Sequence, residues 1–478
     1  MAGRDYIYDP VTTVEAIGQK PIRYERGQLW RQYIIGTVAN LAIIATGVSM
    51  VWTSPVNMKL KDKGATPLPT VPTPDQIAWI GSLLTIGAIF GPLFSGVAAS
   101  RIGRKWGIIS SAIPFVIGWI LVTVASNVGM LYAGRFFWGI AGGMTFTICP
   151  MYCAEIATVD SRGILGSFLQ IFVTVGFMIT YSIGPYVSYN VLSYIGFASV
   201  VVFCACFVFM PETPMYYLSK GDRESAGRCL ATIRGRTYAG VQPELDELDA
   251  EVKASMEKTA SLADVFRGSN LKAFCICCAL LFFQQFCGVN AVLFYMSTIF
   301  EAAGSSLDSS VATIIIGGVM MLASFSTSLV VDRLGRKILL LISSAGTTIG
   351  LILLGTFFIL DANKNPIAKS ISFLPVLSLI LYIVTYSWGL GPLPWAIMSE
   401  LLPIEVKVIA APIATAFCWI MAFFVTRYFS TVAAAVGIGG TFLIFSGCCI
   451  AAFIFSLLLV PETKGKSYSE IQKILAGK

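Results

Sequence analysis

The sequence predicts an all-α membrane protein: twelve transmembrane helices in two pseudo-symmetric six-helix halves, with a polar helical segment between them. Three observations predict it. Charged residues make up only 12% of the 478 residues and hydrophobic ones 56%, whereas soluble globular chains carry roughly a quarter charged residues. Long stretches contain no Asp, Glu, Lys or Arg at all, and a set of short marks at helix ends occurs twice in the same order.

The charge-free stretches set the helices. A bilayer core ~30 Å thick needs ~20 helical residues to cross it, and a charge at a helix centre costs ~2.5–3.5 kcal/mol on insertion scales. Stretches of that size run from Gln32 to Met58, Gln76 to Ser100, Trp106 to Gly134, Gly163 to Pro211, Ala273 to Phe300, Ser309 to Val331, Ile338 to Leu360, Ser370 to Ser399 and Tyr428 to Pro461. Gly184 and Pro185 split the longest of them, and single charges at Arg135 and Arg427 interrupt two further apolar runs. The expected helices are 33–54, 76–99, 106–126, 130–150, 163–185 and 191–210 in the first half. In the second half they are 271–300, 308–331, 338–360, 371–398, 408–431 and 437–460.

This division gives a cytoplasmic N-terminal segment (1–32), the first half (33–210), a cytoplasmic helical linker (211–270), the second half (271–460) and a cytoplasmic tail (461–478). With both termini inside, most of the 33 Lys and Arg lie on the cytoplasmic side, as the positive-inside rule requires. The net charge of +7 is then a topology signal, and no nucleic-acid partner is expected. No signal peptide is visible, so the first apolar helix reads as its own insertion signal. Within the linker, 224–236 and 244–258 look like amphipathic helices, and the cluster Glu244, Asp246, Glu247, Asp249, Glu251 reads as a solvated face.

The 12 Cys fall mostly inside apolar runs and read as small, reduced apolar residues. Histidine is absent, which removes Ser-His-Asp and Cys-His chemistry, His-ligated zinc and histidine proton relays. No nucleophile–base pair supports an enzyme, and neither a cofactor nor a metal is expected. No Asn-X-Ser/Thr acceptor for N-glycosylation occurs.

The halves repeat each other. Arg101-Ile-Gly-Arg104-Lys105 returns as Arg333-Leu-Gly-Arg336-Lys337, each followed by a Ser-Ser pair. Pro150 with Glu155 matches Pro394 with Glu400, and Pro211-Glu212-Thr213 matches Pro461-Glu462-Thr463. The offset is roughly 240 residues each time, the mark of a duplicated six-helix unit.

From about residue 30 to 475 the chain resembles the sugar porter family of the major facilitator superfamily. The resemblance rests on Gly134-Arg135-Phe136, Pro150-Met-Tyr-Cys-Ala-Glu155, Arg162-Gly163, Pro211-Glu-Thr-Pro214, Gln284-Gln285-Phe-Cys-Gly-Val-Asn290, Asp332-Arg-Leu-Gly-Arg-Lys337, Gly391-Pro-Leu-Pro-Trp395 and Pro461-Glu-Thr-Lys-Gly465. Within the family it looks like insect facilitated trehalose and glucose transporters. The resemblance implies a small-molecule sugar as substrate and the lipid bilayer as surroundings, with one chain sufficient for function and the oligomeric state left open.

It also implies a site. Sugars offer hydroxyls and weakly apolar ring faces, so neutral amides and aromatic planes suit them. Gln284, Gln285 and Asn290 supply three amides around Gly288, where a helix break is expected. Gln170 supplies one from the other half, Trp395 and Trp419 would line the cavity, and Tyr295 would belong to an outer gate. Arg101, Arg104, Glu155, Arg162, Glu212, Arg333, Arg336, Glu400 and Glu462 fall at inner helix ends and resemble the family's cytoplasmic gate. Opposite charges there would latch the halves in the outward-open state and part in the inward-open one. Topogenic charge in loops is the other reading of each.

Departures from the family pattern bear on mechanism. Proton-coupled members place an Asp in the first helix, and the aligned position here is Val48. Without an ionisable group in the cavity, facilitated diffusion is expected. Met320, Ser387 and Cys418 stand where the family often has Asn, an acid and Asn, Lys407-Val408 where Arg-Gly is usual, and Ser100 and Met215 depart in the gate motifs. Two further readings stay open: a cation-coupled carrier with Arg135 or Glu155 as the titrating group, and a non-transporting sugar sensor on the same fold. Glucose, other hexoses and trehalose are all compatible.

Overall fold

Helix ends follow local chemistry. In the computed structural model, Thr73 and Gln76 form a reciprocal capping box across Pro74, the first helical residue, and Asn127, Ser188 and Asp308 accept from backbone N–H groups of the helices they start. Such caps satisfy the orphan donors of a first turn. The structure describes residues 27–257, 261–304, 308–464, 466 and 470–471, without the side chains of 159, 255–257, 328, 329, 332, 333, 404, 405 and 408. Most of the expected N-terminal segment and tail therefore lies outside the described residues, as does the side chain of Arg333.

The first half runs through α1 (Leu29–Ala39), α2 (Leu41–Val51) and α3 (Thr53–Lys61), which stack into one span, then α4 (Pro74–Arg101), α5 (Arg104–Ser110) with α6 (Ala112–Thr123), α7 (Val128–Ile156), α8 (Val159–Ile183) and α9 (Tyr189–Phe207). The linker carries α10 (Pro214–Ser219), α11 (Arg223–Arg234), α12 (Gln242–Glu257) and α13 (Leu262–Val265). The second half runs through α14 (Gly268–Phe286) with α15 (Val289–Ala303), α16 (Ser309–Leu334), α17 (Arg336–Ala362), the short α18 (Pro366–Ser370), α19 (Leu374–Trp388) with α20 (Leu393–Leu401), and α21 (Ile404–Leu459).

Eleven helices among the described residues are long and apolar enough to cross a membrane. The last contains a break at Gly437 (φ 80°, ψ 159°) that parts α21 into two spans, which brings the total to the expected twelve. The first span reaches Lys61, beyond the expected end at 54, and in this extension Lys59 turns its ammonium onto the Pro185 carbonyl at 3.3 Å.

Lipid tails offer helices no hydrophobic drive to associate, so close packing of small residues supplies it. Gly139 and Gly143 of α7 meet Gly87 and Gly91 of α4 so closely that a Cβ on Gly139 would stand 2.0 Å from the Leu84 carbonyl. A second contact of this kind joins Gly47 of α2 to Gly176 of α8. Gly317 packs on Tyr181 of α8, whereas Gly318 faces open space.

The linker helices form a small core of their own from Leu218, Ala226, Leu230, Val241, Leu245 and Val252. The acidic face is exposed at Asp246, Glu247 and Glu251, as expected, and it also carries ion pairs: Glu244 with Arg234 and Arg236, Asp246 and Asp249 with Arg223. Arg234 also donates to the Ile156 carbonyl at 2.6 Å, which fixes this layer to the end of α7.

Candidate functional site

The chain breaks at Gly288 between α14 and α15. Gly288 adopts φ +86°, a left-handed conformation that glycine tolerates best, and a Cβ there would lie 2.4 Å from the Phe445 ring. The Tyr382 hydroxyl donates to the Cys287 carbonyl at 3.1 Å, serving one backbone acceptor at the break, as apolar surroundings require.

This break gathers the three amides. Gln284 donates from Nε2 to the carbonyls of Leu390 (2.9 Å) and Gly391 (2.5 Å), which lie at the second break, between α19 and α20. Asn290 donates to Gln285 Oε1 at 2.6 Å, and Gln285 donates to Cys418 Sγ at 3.1 Å. All three are buried, between 3% and 6% exposed. Cys418, which entered the sequence reading only as a departure, is thus part of the cluster.

The other expected contacts are looser. Gln170 is half-buried on α8, and among the described residues no hydrogen bond ties its carboxamide, or Trp395, to the cluster. Trp395 is exposed. Trp419, one residue after Cys418, has its ring 6.3 Å from Phe146 of α7. Phe146 brings the first half to the site, and nothing in its sequence surroundings distinguished it from a packing aromatic.

At the end of the bundle away from the linker, the halves are closed on each other. Ser54 of α3 bonds Ser297 of α15 at 2.9 Å, and the Tyr181 hydroxyl donates to the Leu293 carbonyl at 2.9 Å. Arg427 of α21 reaches Asp75 of α4 at 2.5 Å. Tyr295 is buried here against Gly81, stacked on Phe429 at 5.3 Å, with its hydroxyl on the Thr426 carbonyl.

At the linker end two arginine–glutamate pairs form, one within each half. Arg104 binds Glu155 at 2.9 Å, and Arg336 binds Glu400 at 3.0 Å. Glu212 and Glu462 were expected among the ionic pairs. Glu212 accepts instead from the backbone N–H groups of Arg104 and Lys105, and Glu462 from those of Arg336 and Lys337. The reason is local: Gly103 (φ +96°) and Gly335 (φ +87°) turn the chain so that the next helix starts against the carboxylate. A Cβ at Gly103 would stand 2.2 Å from Glu212 Oε2, and one at Gly335 2.9 Å from Glu462 Oε2.

Burial raises the Glu212 carboxyl above its usual range, outweighing the N–H groups of Thr213, Lys105 and Arg104. Burial pushes Glu462 the same way, but it is less enclosed, and backbone N–H groups, including those of Lys464, Arg336 and Lys337, hold it below. Arg101 and Arg162 are exposed and form no ion pair among the described residues, so neither joins the network expected of them. Lys407 reaches the Ser399 carbonyl and ties α21 to α20. Among the described residues no group of three or more Cys, Asp or Glu is arranged to hold a metal ion.

The geometry is therefore a buried amide cluster at two helix breaks, one closed end, and repeated charge clusters at the other. The sequence profile of the Sugar (and other) transporter family matches residues 27–475. The chain belongs to the sugar transporter family. This transporter is 34% identical to the facilitated trehalose transporter Tret1 of Apis mellifera ligustica over 98% of its own length and 91% of that protein. It is 35% identical to Tret1 of Anopheles gambiae over 94% of its own length but only 56% of that longer relative. Among solved structures, the inward-open conformation of the xylose transporter XylE from E. coli superposes with a TM-score of 0.76 at 23% identity, covering 93% of this chain and 99% of that one. The proton:xylose symporter XylE bound to 6-bromo-6-deoxy-D-glucose matches at a TM-score of 0.75 and 24% identity, over 93% and 99%. These likenesses establish the major facilitator fold. The sugar transporter is a multi-pass membrane protein of that fold.

Proposed function

We propose that this transporter is a uniporter that carries a neutral sugar, trehalose or a hexose such as glucose, down its gradient across the plasma membrane by alternating access. The termini and the linker lie on the cytoplasmic side, and the state described here faces inward. The reading of state is supported by contacts that close the far end, together with ion pairs at the linker end that stay within each half. Trehalose is favoured as a candidate by the names of the relatives.

One observation carries uniport over symport. Arg135 is fully buried in α7, and its guanidinium donates to three backbone carbonyls, of Ile80 (2.8 Å), Ser49 (2.6 Å) and Gly81 (3.2 Å). It also lies 5.5 Å from the Phe294 ring centre and 5.9 Å from that of Trp138. Among the described residues no carboxylate pairs with it. Proton coupling needs a group that changes charge within the cycle, and here the permanent cation of Arg is satisfied by carbonyls that cannot titrate. Val48, beside Ser49, supplies no acid.

In this mechanism the amide cluster is the exchange point. Its donors and acceptors are now spent on Leu390, Gly391 and Cys418. A sugar hydroxyl that takes over a Gln284 N–H releases the carbonyls at the α19–α20 break, which couples occupancy to the shape of that span. Each exchanged bond nets about 0.5–1.5 kcal/mol, so four or five give binding in roughly the millimolar range, weak enough for release.

The test is uptake of labelled glucose and of labelled trehalose into proteoliposomes, with and without an inward proton gradient. Equal uptake of the transported sugar, never exceeding equilibrium, is expected. Accumulation above equilibrium that collapses with a protonophore would overturn uniport.

A further inference from the structure

The closed end holds an arrangement that no part of the sugar site requires. Asp75 and Trp79 stand one helical turn apart on α4, and Phe423 and Arg427 one turn apart on α21. The i, i+4 spacing puts each pair on one face of its helix. The two faces meet as rungs: Trp79 and Phe423 have ring centres 6.0 Å apart, and Arg427 pairs with Asp75 at 2.5 Å. The Arg427 guanidinium also lies 4.7 Å from the Trp79 ring centre and 5.5 Å from that of Tyr428. Its side chain is only 14% exposed, whereas Asp75 is 64% exposed. Asp75 lies in the first turn of α4, where the helix dipole favours an anion.

We propose that Asp75 and Arg427 form a latch present in only one of the two states of the transport cycle, and that it sets how the carrier divides between them. The two residues belong to opposite halves, 352 positions apart. When this end opens, α4 and α21 part, and Arg427 keeps Tyr428 but loses both Asp75 and Trp79. The latch therefore stabilises the state closed at this end and contributes nothing to the other. An exposed ion pair alone is worth little. The cation over Trp79 and the low exposure of Arg427 add to it, so the bias is on the order of fivefold to tenfold in population.

For a uniporter the consequence is an asymmetry of apparent affinity. The bias lowers the fraction of carriers ready to accept sugar at the latch end, and raises KM on that side. It leaves the equilibrium distribution of sugar untouched.

The test compares wild type, D75N and R427Q. Hydrogen–deuterium exchange on the purified full chain, without sugar, reads the closed end directly. The expected result is several-fold faster exchange over 53–61 and 289–303 in each single variant. In proteoliposomes, KM for labelled glucose or trehalose offered at the latch end falls by about fivefold in the single variants. Exchange and KM that stay at wild-type values in D75N and R427Q overturn the latch. The exchange arm involves no substrate, so it stands even if the uniport reading fails. A thermal unfolding midpoint kept within a few degrees separates latch release from misfolding.

Discussion

Gln284 Nε2 lies 2.5 Å from the carbonyl oxygen of Gly391, so the amide best placed to read a sugar is bonded to the break in the tenth span. Recognition and the shape of that helix therefore share one donor. Replacing Gln284 by Leu removes the donor and leaves the buried Leu390 and Gly391 carbonyls without it, at a cost of about 1–3 kcal/mol for an unsatisfied buried group. Gln284→Leu is expected to abolish counterflow of the transported sugar and to lower the thermal unfolding midpoint by a few degrees. Flux at the wild-type rate would remove Gln284 from the site.

The two glycines of the repeated Arg-x-Gly-Arg-Lys motif carry the same burden to different degrees. Both sit at positive φ with extended ψ, a region essentially confined to glycine that costs a residue with a Cβ on the order of 1–3 kcal/mol. The space differs: 2.2 Å to Glu212 at Gly103 against 2.9 Å to Glu462 at Gly335. Gly103→Ala is therefore expected to destabilise more than Gly335→Ala, by at least about 1 kcal/mol, in thermal unfolding of the detergent-solubilised protein. Equal losses would show that backbone strain alone decides.

Glu212 and Glu462 occupy equivalent places and respond oppositely to pH. Glu212 has its folded-state pKa raised by burial, so its contribution is present below the ordinary carboxyl range and is lost as pH rises through the raised value. Glu462, held down by backbone N–H groups against burial, contributes above the ordinary range and loses that contribution as pH falls through the lowered value. Gln is a neutral mimic of the protonated acid. Glu462→Gln should cost more than Glu212→Gln at pH 7, and only Glu462→Gln should flatten the loss of stability below the usual carboxylate pKa. Unfolding midpoints of both variants between pH 4 and 8 check the order and the sign.

Much of this was written in the sequence, for identifiable reasons. Charge-free runs gave the spans because burying a charge in lipid costs more than any local preference returns. Gly288 marked a real break, and the Arg104–Glu155 and Arg336–Glu400 pairs follow the duplicated motifs. The rest depends on what folding brings together. Glu212 and Glu462 were read as ionic partners because charge is visible in a sequence and the orientation of an N–H group is not. The carbonyls that hold Arg135 carry no sequence signal at all. The Asp75–Arg427 contact joins opposite halves and belongs to one conformation, so neither residue looked different from an ordinary charge near a helix end. Arg101 and Arg162 carry the same charge as the network's arginines but are exposed and form no ion pair among the described residues.

Counterflow in proteoliposomes separates uniport from proton coupling. Vesicles loaded with unlabelled trehalose or glucose would receive trace labelled sugar at pH 5.5 and at pH 7.5. A uniporter gives saturable, transient accumulation of at least one of the two sugars, at the same rate at both pH values. Exchange that requires the acidic side, or none of either sugar at either pH, would contradict uniport.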